Sequence, residues 1–158
     1  MTTMDGLIRT VLEWVENEGE IPDASYTTSF VAGRLPNPLT KPRVAVGLEE
    51  VRMSAGAMGQ VLMDESYGSR ADVALKIKIY MPESRGGDAL NEIFSRICTV
   101  LMTSGRGIGI HSVSCGEIRY ETGAMAYTID CRAELTTYIG EYDSERPLEG
   151  VVIKGKGE

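Results

Sequence analysis

The chain has 158 residues, enough to bury a core without disulfide or metal staples, and an ordinary globular composition of 42% hydrophobic and 25% charged residues. Its formal net charge of -7 argues against a broad basic face that sequesters nucleic acid, because an acidic surface repels phosphate. The start MTTMDGLIRT lacks an apolar signal core and no stretch is apolar enough to span a bilayer, so neither secretion by signal peptide nor membrane insertion is expected, and the expected compartment is a reducing cytoplasm.

The first element is a helix over Met4 to Glu18, in which Met4, Leu7, Ile8, Val11, Leu12 and Val15 recur at three- and four-residue spacing. Thr2 or Thr3 is placed to cap it, Gly19 to end it, and Pro22 stands where it could not continue. Tyr26 to Ala32 reads as a short strand, and Pro36, Pro38 and Pro42 make the following segment a stiff extended connection. A strand from Arg43 to Met53 changes phase between Leu48 and Val51, which calls for a bulge near Glu49 and Glu50. Ser54 to Arg70 has no period but carries Met58, Val61, Leu62 and Met63 among glycines, so it is expected either to fold back on the core or to act as an arm that orders on a partner.

Ala71 to Met81 alternates strictly, with Val73, Leu75, Ile77, Ile79 and Met81 inward and Asp72, Lys76, Lys78 and Tyr80 outward. Asp88 is the expected cap of a second helix with Leu90, Ile93, Phe94, Ile97 and Leu101 on one face, closed by Gly105. A strand from Ile110 to Glu121 switches phase across Gly116, predicting a bulge or a bend there, and a tight turn joins it to the last strand. That last strand, Met125 to Ile139, holds Met125, Tyr127, Ile129, Cys131, Ala133 and Leu135 in one phase and Asp130, Arg132, Glu134 and Thr136 in the other. At about fifteen residues it exceeds an ordinary strand, so one end is expected to project beyond the core.

The order αβββαββ makes a two-layer α+β domain over residues 1–142, a largely antiparallel or mixed sheet of about five strands with two helices on one face. Residues 143–158 are expected to form a mobile tail. The opposite sheet face, with Lys76, Lys78, Arg132 and Glu134, together with the arm residues Met58, Val61, Leu62 and Met63, is the expected partner surface.

The residues that could carry chemistry are scattered. His111 is the single histidine and has no acidic partner at motif spacing. Gly105, Gly107 and Gly109 follow a helix and precede a strand, the reverse of a phosphate-binding loop. Glu49 and Glu50 point to opposite strand faces unless the bulge realigns them. Arg34, Lys41 and Arg43 lack the interleaved aromatics of a single-strand stacking platform. Cys98, Cys115 and Cys131 are odd in number and far apart, with neither disulfide-framework nor CxxC spacing, and read as small buried hydrophobes. No catalytic, cofactor or metal site is expected.

The helix MDGLIRTVLEWVENEG, the strand ALKIKIYMP feeding the helix GGDALNEIFSRICTVLMTSG, and the closing hairpin CGEIRYETGAMAYTIDCRAELTTYIG resemble, over roughly residues 1–142, the tail-terminator and tail-completion proteins of long-tailed bacteriophages and related contractile bacteriocins. The match is one of element order, size and hydrophobic pattern. The resemblance implies a structural subunit that forms a homo-oligomeric ring, commonly a hexamer, caps the tail tube and offers a surface to a head connector or cap protein. Its expected place is the assembled virion or phage-like tail, reached from the host cytoplasm, with DNA at most passing through the lumen. Another connector, tube or baseplate subunit of the same particle is the first alternative. The second is a small-ligand-binding or enzymatic α+β domain, which requires a concave pocket with convergent polar groups.

Overall fold

The computed structural model describes residues 3–54 and 67–141. The arm residues Met58, Val61, Leu62 and Met63, and the tail after residue 142, lie outside the described residues. Helix α1 spans Met4–Glu18, followed by strands β1 (Ser25–Thr27), β2 (Arg43–Ser54) and β3 (Tyr67–Pro82); helix α2 spans Ala89–Ser104 and precedes β4 (Ile110–Cys115), β5 (Arg119–Glu121) and β6 (Ala126–Glu141). The sheet runs β1-β2-β3-β6-β4, with β5 also paired to β6. β1 lies parallel to β2 and every other pairing is antiparallel, so the sheet is mixed.

Both helices cover one face, as their single apolar stripes require. Leu7, Val11 and Val15 of α1 and Leu90, Ile93, Ile97 and Leu101 of α2 join Val44, Val46, Val73, Leu75, Ile77, Ile79, Ile129, Cys131, Ala133 and Leu135 in one buried cluster. The alternating positions of β3 and β6 therefore face the helices. Thr3 caps α1, its Oγ1 accepting from the Gly6 amide at 3.0 Å. At the other end the Gly19 amide donates to the Val15 carbonyl at 3.0 Å.

The expected cap at Asp88 is different. Its φ of -64° and ψ of -33° are already helical, and its carboxylate makes no cap hydrogen bond. A capping side chain needs extended backbone to reach forward to the amides. The chain instead enters α2 through a short 3-10 turn, Glu83–Arg85, and Gly87, whose carbonyl accepts from Leu90 at 3.1 Å.

The phase change in β2 is a bulge, with register broken between Leu48 and Glu50. The single strand expected over 110–121 is two, β4 and β5, both beside β6, and the Gly116 amide bonds the Asp130 carbonyl at 2.9 Å where they part. Met125 adopts a positive φ of 49° in the turn, so β6 begins at Ala126 and Met125 is not on the sheet face assigned to it. The strand expected over Tyr26 to Ala32 ends at Thr27. Beyond it, residues 28–40 leave the sheet edge and fold over the face opposite the helices.

That crossing builds a second, smaller core. Phe30, Val31, Leu35 and Leu39 pack on Ala45, Tyr80, Ala124 and Ala126. Tyr80 points away from the helices as its phase demands, but it is fully buried rather than solvated. Its hydroxyl accepts from the Val31 amide at 3.2 Å, and the Leu35 amide donates to the Gly123 carbonyl at 2.8 Å. Pro36 and Pro38 remove two backbone donors from this segment, so two fewer amides need partners where it lies on apolar surface.

Candidate functional site

The face opposite the helices divides into a covered half and a polar half. Phe30 closes the covered half. It lies against Gly47, where an added Cβ would stand 2.9 Å from the ring's Cζ, and Lys76 Nζ stands 5.6 Å from the ring centroid. The next position along β3 is Lys78, whose side chain is only 12% exposed and whose Nζ lies 2.7 Å from Glu121 and 3.9 Å from Asp130. Burial by itself would lower the Lys78 ammonium; the hydrogen bond to Glu121 and the charges of Tyr80, Asp130 and Glu121 outweigh it and hold the group above its ordinary value. The second oxygen of Glu121 is buried with no hydrogen-bond partner.

The polar half follows from register. Lys76 faces Arg132 and Asp72 faces Thr136 across β3 and β6, while Arg52 faces Asp72 across β2 and β3. Arg132 is the hub. Its guanidinium lies 3.0 Å from Glu49, 3.4 Å from Glu50 and 3.1 Å from Glu134. The bulge makes this possible, turning both neighbours in sequence, Glu49 and Glu50, toward one cation. Desolvation opposes the Arg132 charge, yet Glu49, Glu134 and Glu50 together hold it above its usual value. Glu50 also pairs with Arg52 at 3.0 Å, and the two guanidiniums, Arg52 first, hold its carboxyl below the usual range. Farther along, Asp72 accepts from Thr136 Oγ1 at 2.8 Å and lies 3.6 Å from Arg70.

Lys76, Lys78, Arg132 and Glu134, expected on one surface from their strand phase, all lie on the same sheet face. Asp130 shares that phase, but the proximity of Glu121 and Phe30 depends on the β5–β6 turn and on the crossing of residues 28–40, which no strand period shows. An open groove of about 430 Å³ lies in the polar half, with Arg52, Arg70, Asp72, His111, Arg132 and Glu134 among its walls. His111 is exposed at the irregular start of β4, where the β4–β6 register shifts. The glycine run after α2 is a structural turn. Gly109 has φ of 91°, and a Cβ there would strike the Thr136 carbonyl oxygen.

The outer edge of β2 adjoins this array. β1 covers it only from Arg43 to Ala45, and beyond that point β2 has no strand on its outer side among the described residues. Its helix-facing phase is fully buried at Val44 and Val46, then becomes 42% exposed at Leu48 and 55% at Met53. Among the described residues no group of three His, Cys, Asp or Glu side chains is arranged to hold a metal ion, and no helix is long and apolar enough to cross a membrane. No protein-family model matches the chain, and no curated protein matches it significantly.

Proposed function

We propose that this chain is a structural assembly subunit of a phage or phage-like tail, a ring-forming terminator or completion protein that caps the tail tube and joins it to a head connector or cap. The observation that carries the reading is the outer edge of β2 from Val46 to Ser54, which lacks a strand partner among the described residues and bears exposed Leu48 and Met53 beside a charged array. Unpaired strand edges template association through their backbone amides and carbonyls. The bulge and the charges of Glu49, Glu50 and Arg52 oppose indiscriminate pairing there, so the edge suits a partner of matching charge and register, as repeated copies in a ring provide. The element order and the resemblance set out above support the same reading.

Light scattering and negative-stain microscopy of the purified chain, alone and with tail tubes, test it. Rings seated at the head-proximal end of the tube are the expected result, with Met53→Glu and Leu48→Lys folded but defective in ring formation. Rings at the opposite end would identify another connector or baseplate subunit. A wild-type chain that stays monomeric at every concentration, with and without tubes, would overturn the proposal.

A further inference from the structure

The three cysteines, dispersed in sequence, are brought together by the fold. Cys115 on β4 is the register partner of Cys131 on β6. The Gly116 amide bonds the Asp130 carbonyl at 2.9 Å, which makes the adjoining 115/131 pair the non-hydrogen-bonded kind. At such positions facing Cα atoms are about 4.5 Å apart and the side chains approach most closely. That spacing lies within the range of about 4.4–6.8 Å that a disulfide spans. Cys131 is buried, whereas Cys115 is exposed at the sheet edge and Cys98, on α2, is half-buried.

We propose that Cys115 and Cys131 form a redox-modification site, a cross-strand dithiol that hydroperoxides convert to a disulfide stapling β4 to β6. Cys115, the exposed sulfur, is the one an oxidant reaches. Its thiolate attacks a peroxide oxygen, the S–O bond forms as the O–O bond breaks, and the leaving hydroxide takes up a proton as water. The Cys131 sulfur then attacks the sulfenic sulfur. The S–S bond forms, the S–O bond breaks, and the Cys131 proton leaves with the hydroxyl as a second water. Two thiols lose two electrons in all, and one hydrogen peroxide gains them.

Burial raises both thiols, helped by the charge of Cys98 at Cys115 and by those of Cys115, Asp130 and Cys98 at Cys131, so few thiolates exist at neutral pH and the reaction is slow there and faster as pH rises. Cys98 lies on α2, and only Cys115 and Cys131 are held opposite each other by strand register.

The test is peptide mapping of the reduced, folded chain after hydrogen peroxide treatment and alkylation under denaturing conditions. The expected product links Cys115 to Cys131, leaves one of the three cysteines alkylated, and accumulates faster at alkaline than at neutral pH. Cys98→Ser should give the same disulfide, and Cys115→Ser no intramolecular one. A dominant Cys98–Cys115 link, disulfides only between chains, or Cys115 oxidised while Cys131 remains alkylatable would each overturn the assignment.

Discussion

Glu49 Oε2 lies 3.0 Å from Arg132 Nη1, a contact between strands that are not neighbours in the sheet. It exists because the bulge after Leu48 gives Glu49 and Glu50 a common direction across β3. Replacing Arg132 with Met takes the cation from Glu49 and Glu134 and leaves Glu50 with Arg52 alone. The expected outcome is a folded protein with Tm lowered by a few degrees, a difference that narrows in about 1 M salt, where the Debye length is about 3 Å. Thermal melts at low and high salt check it.

The Glu50 carboxyl sits below its ordinary value of 4.5 through Arg52 and then Arg132. A folded pKa below the unfolded one contributes stability that is present above about pH 4.5 and is lost as pH falls through the lower folded value. Wild type should therefore be more stable than Glu50→Gln at neutral pH. The two melting curves should converge in acid below pH 4.5, and a gap that persists there would contradict the assigned pairing.

Lys78 behaves in the opposite sense. Its folded pKa is raised, so its contribution is complete below the ordinary value of 10.5 and disappears as pH climbs through the raised one. Lys78→Met leaves Glu121 beside Asp130 without a cation and should cost about 1–2 kcal/mol at neutral pH. Adding Glu121→Gln should recover part of the loss, as urea unfolding of the single and double variants would show.

Gly47→Ala puts a methyl group into the space of the Phe30 ring. The ring can swing away, so the protein should still fold, at a cost of about 1 kcal/mol. Residues 28–40 lose their anchor on Gly47 and Lys76. Hydrogen exchange should speed up at the Val31 and Leu35 amides while β3 and β6 keep their protection.

Ile129, 2% exposed and opposite Ile79 in the ladder, tests the orientation of the whole sheet. Ile129→Asp buries an unpaired carboxylate under the helices, a cost of several kcal/mol that a domain of this size does not survive. The expected protein is insoluble or unfolded by circular dichroism.

What was legible in the sequence tracks the regularity of its pattern. Val73 to Met81 and Ile129 to Leu135 keep an unbroken period of two, and Leu7 to Val15 an unbroken helical one, so face and element could both be read. Phe30 and Val31 are adjacent apolar residues packing on a sheet face from outside it, an arrangement with no period to betray it. The strand period puts Tyr80 on its correct side, but what covers that side is 49 residues away. The convergence of Cys115 with Cys131, and of Glu49 and Glu50 on Arg132, depends on register. Register is set by pairing between distant strands and leaves no local mark.

The central ladder joins residues 67–82 to residues 126–141, each strand sixteen residues long. During synthesis β3 leaves the ribosome well before its partner exists, with α2, β4 and β5 still to come. Closing that span carries the entropic cost of a high-contact-order topology and sets folding on the slower, millisecond-to-second side. A nascent or truncated chain ending before Ala126 would hold the most apolar strand of the protein with one flank open. Chaperone binding and aggregation during expression should therefore depend sharply on whether β6 has been made.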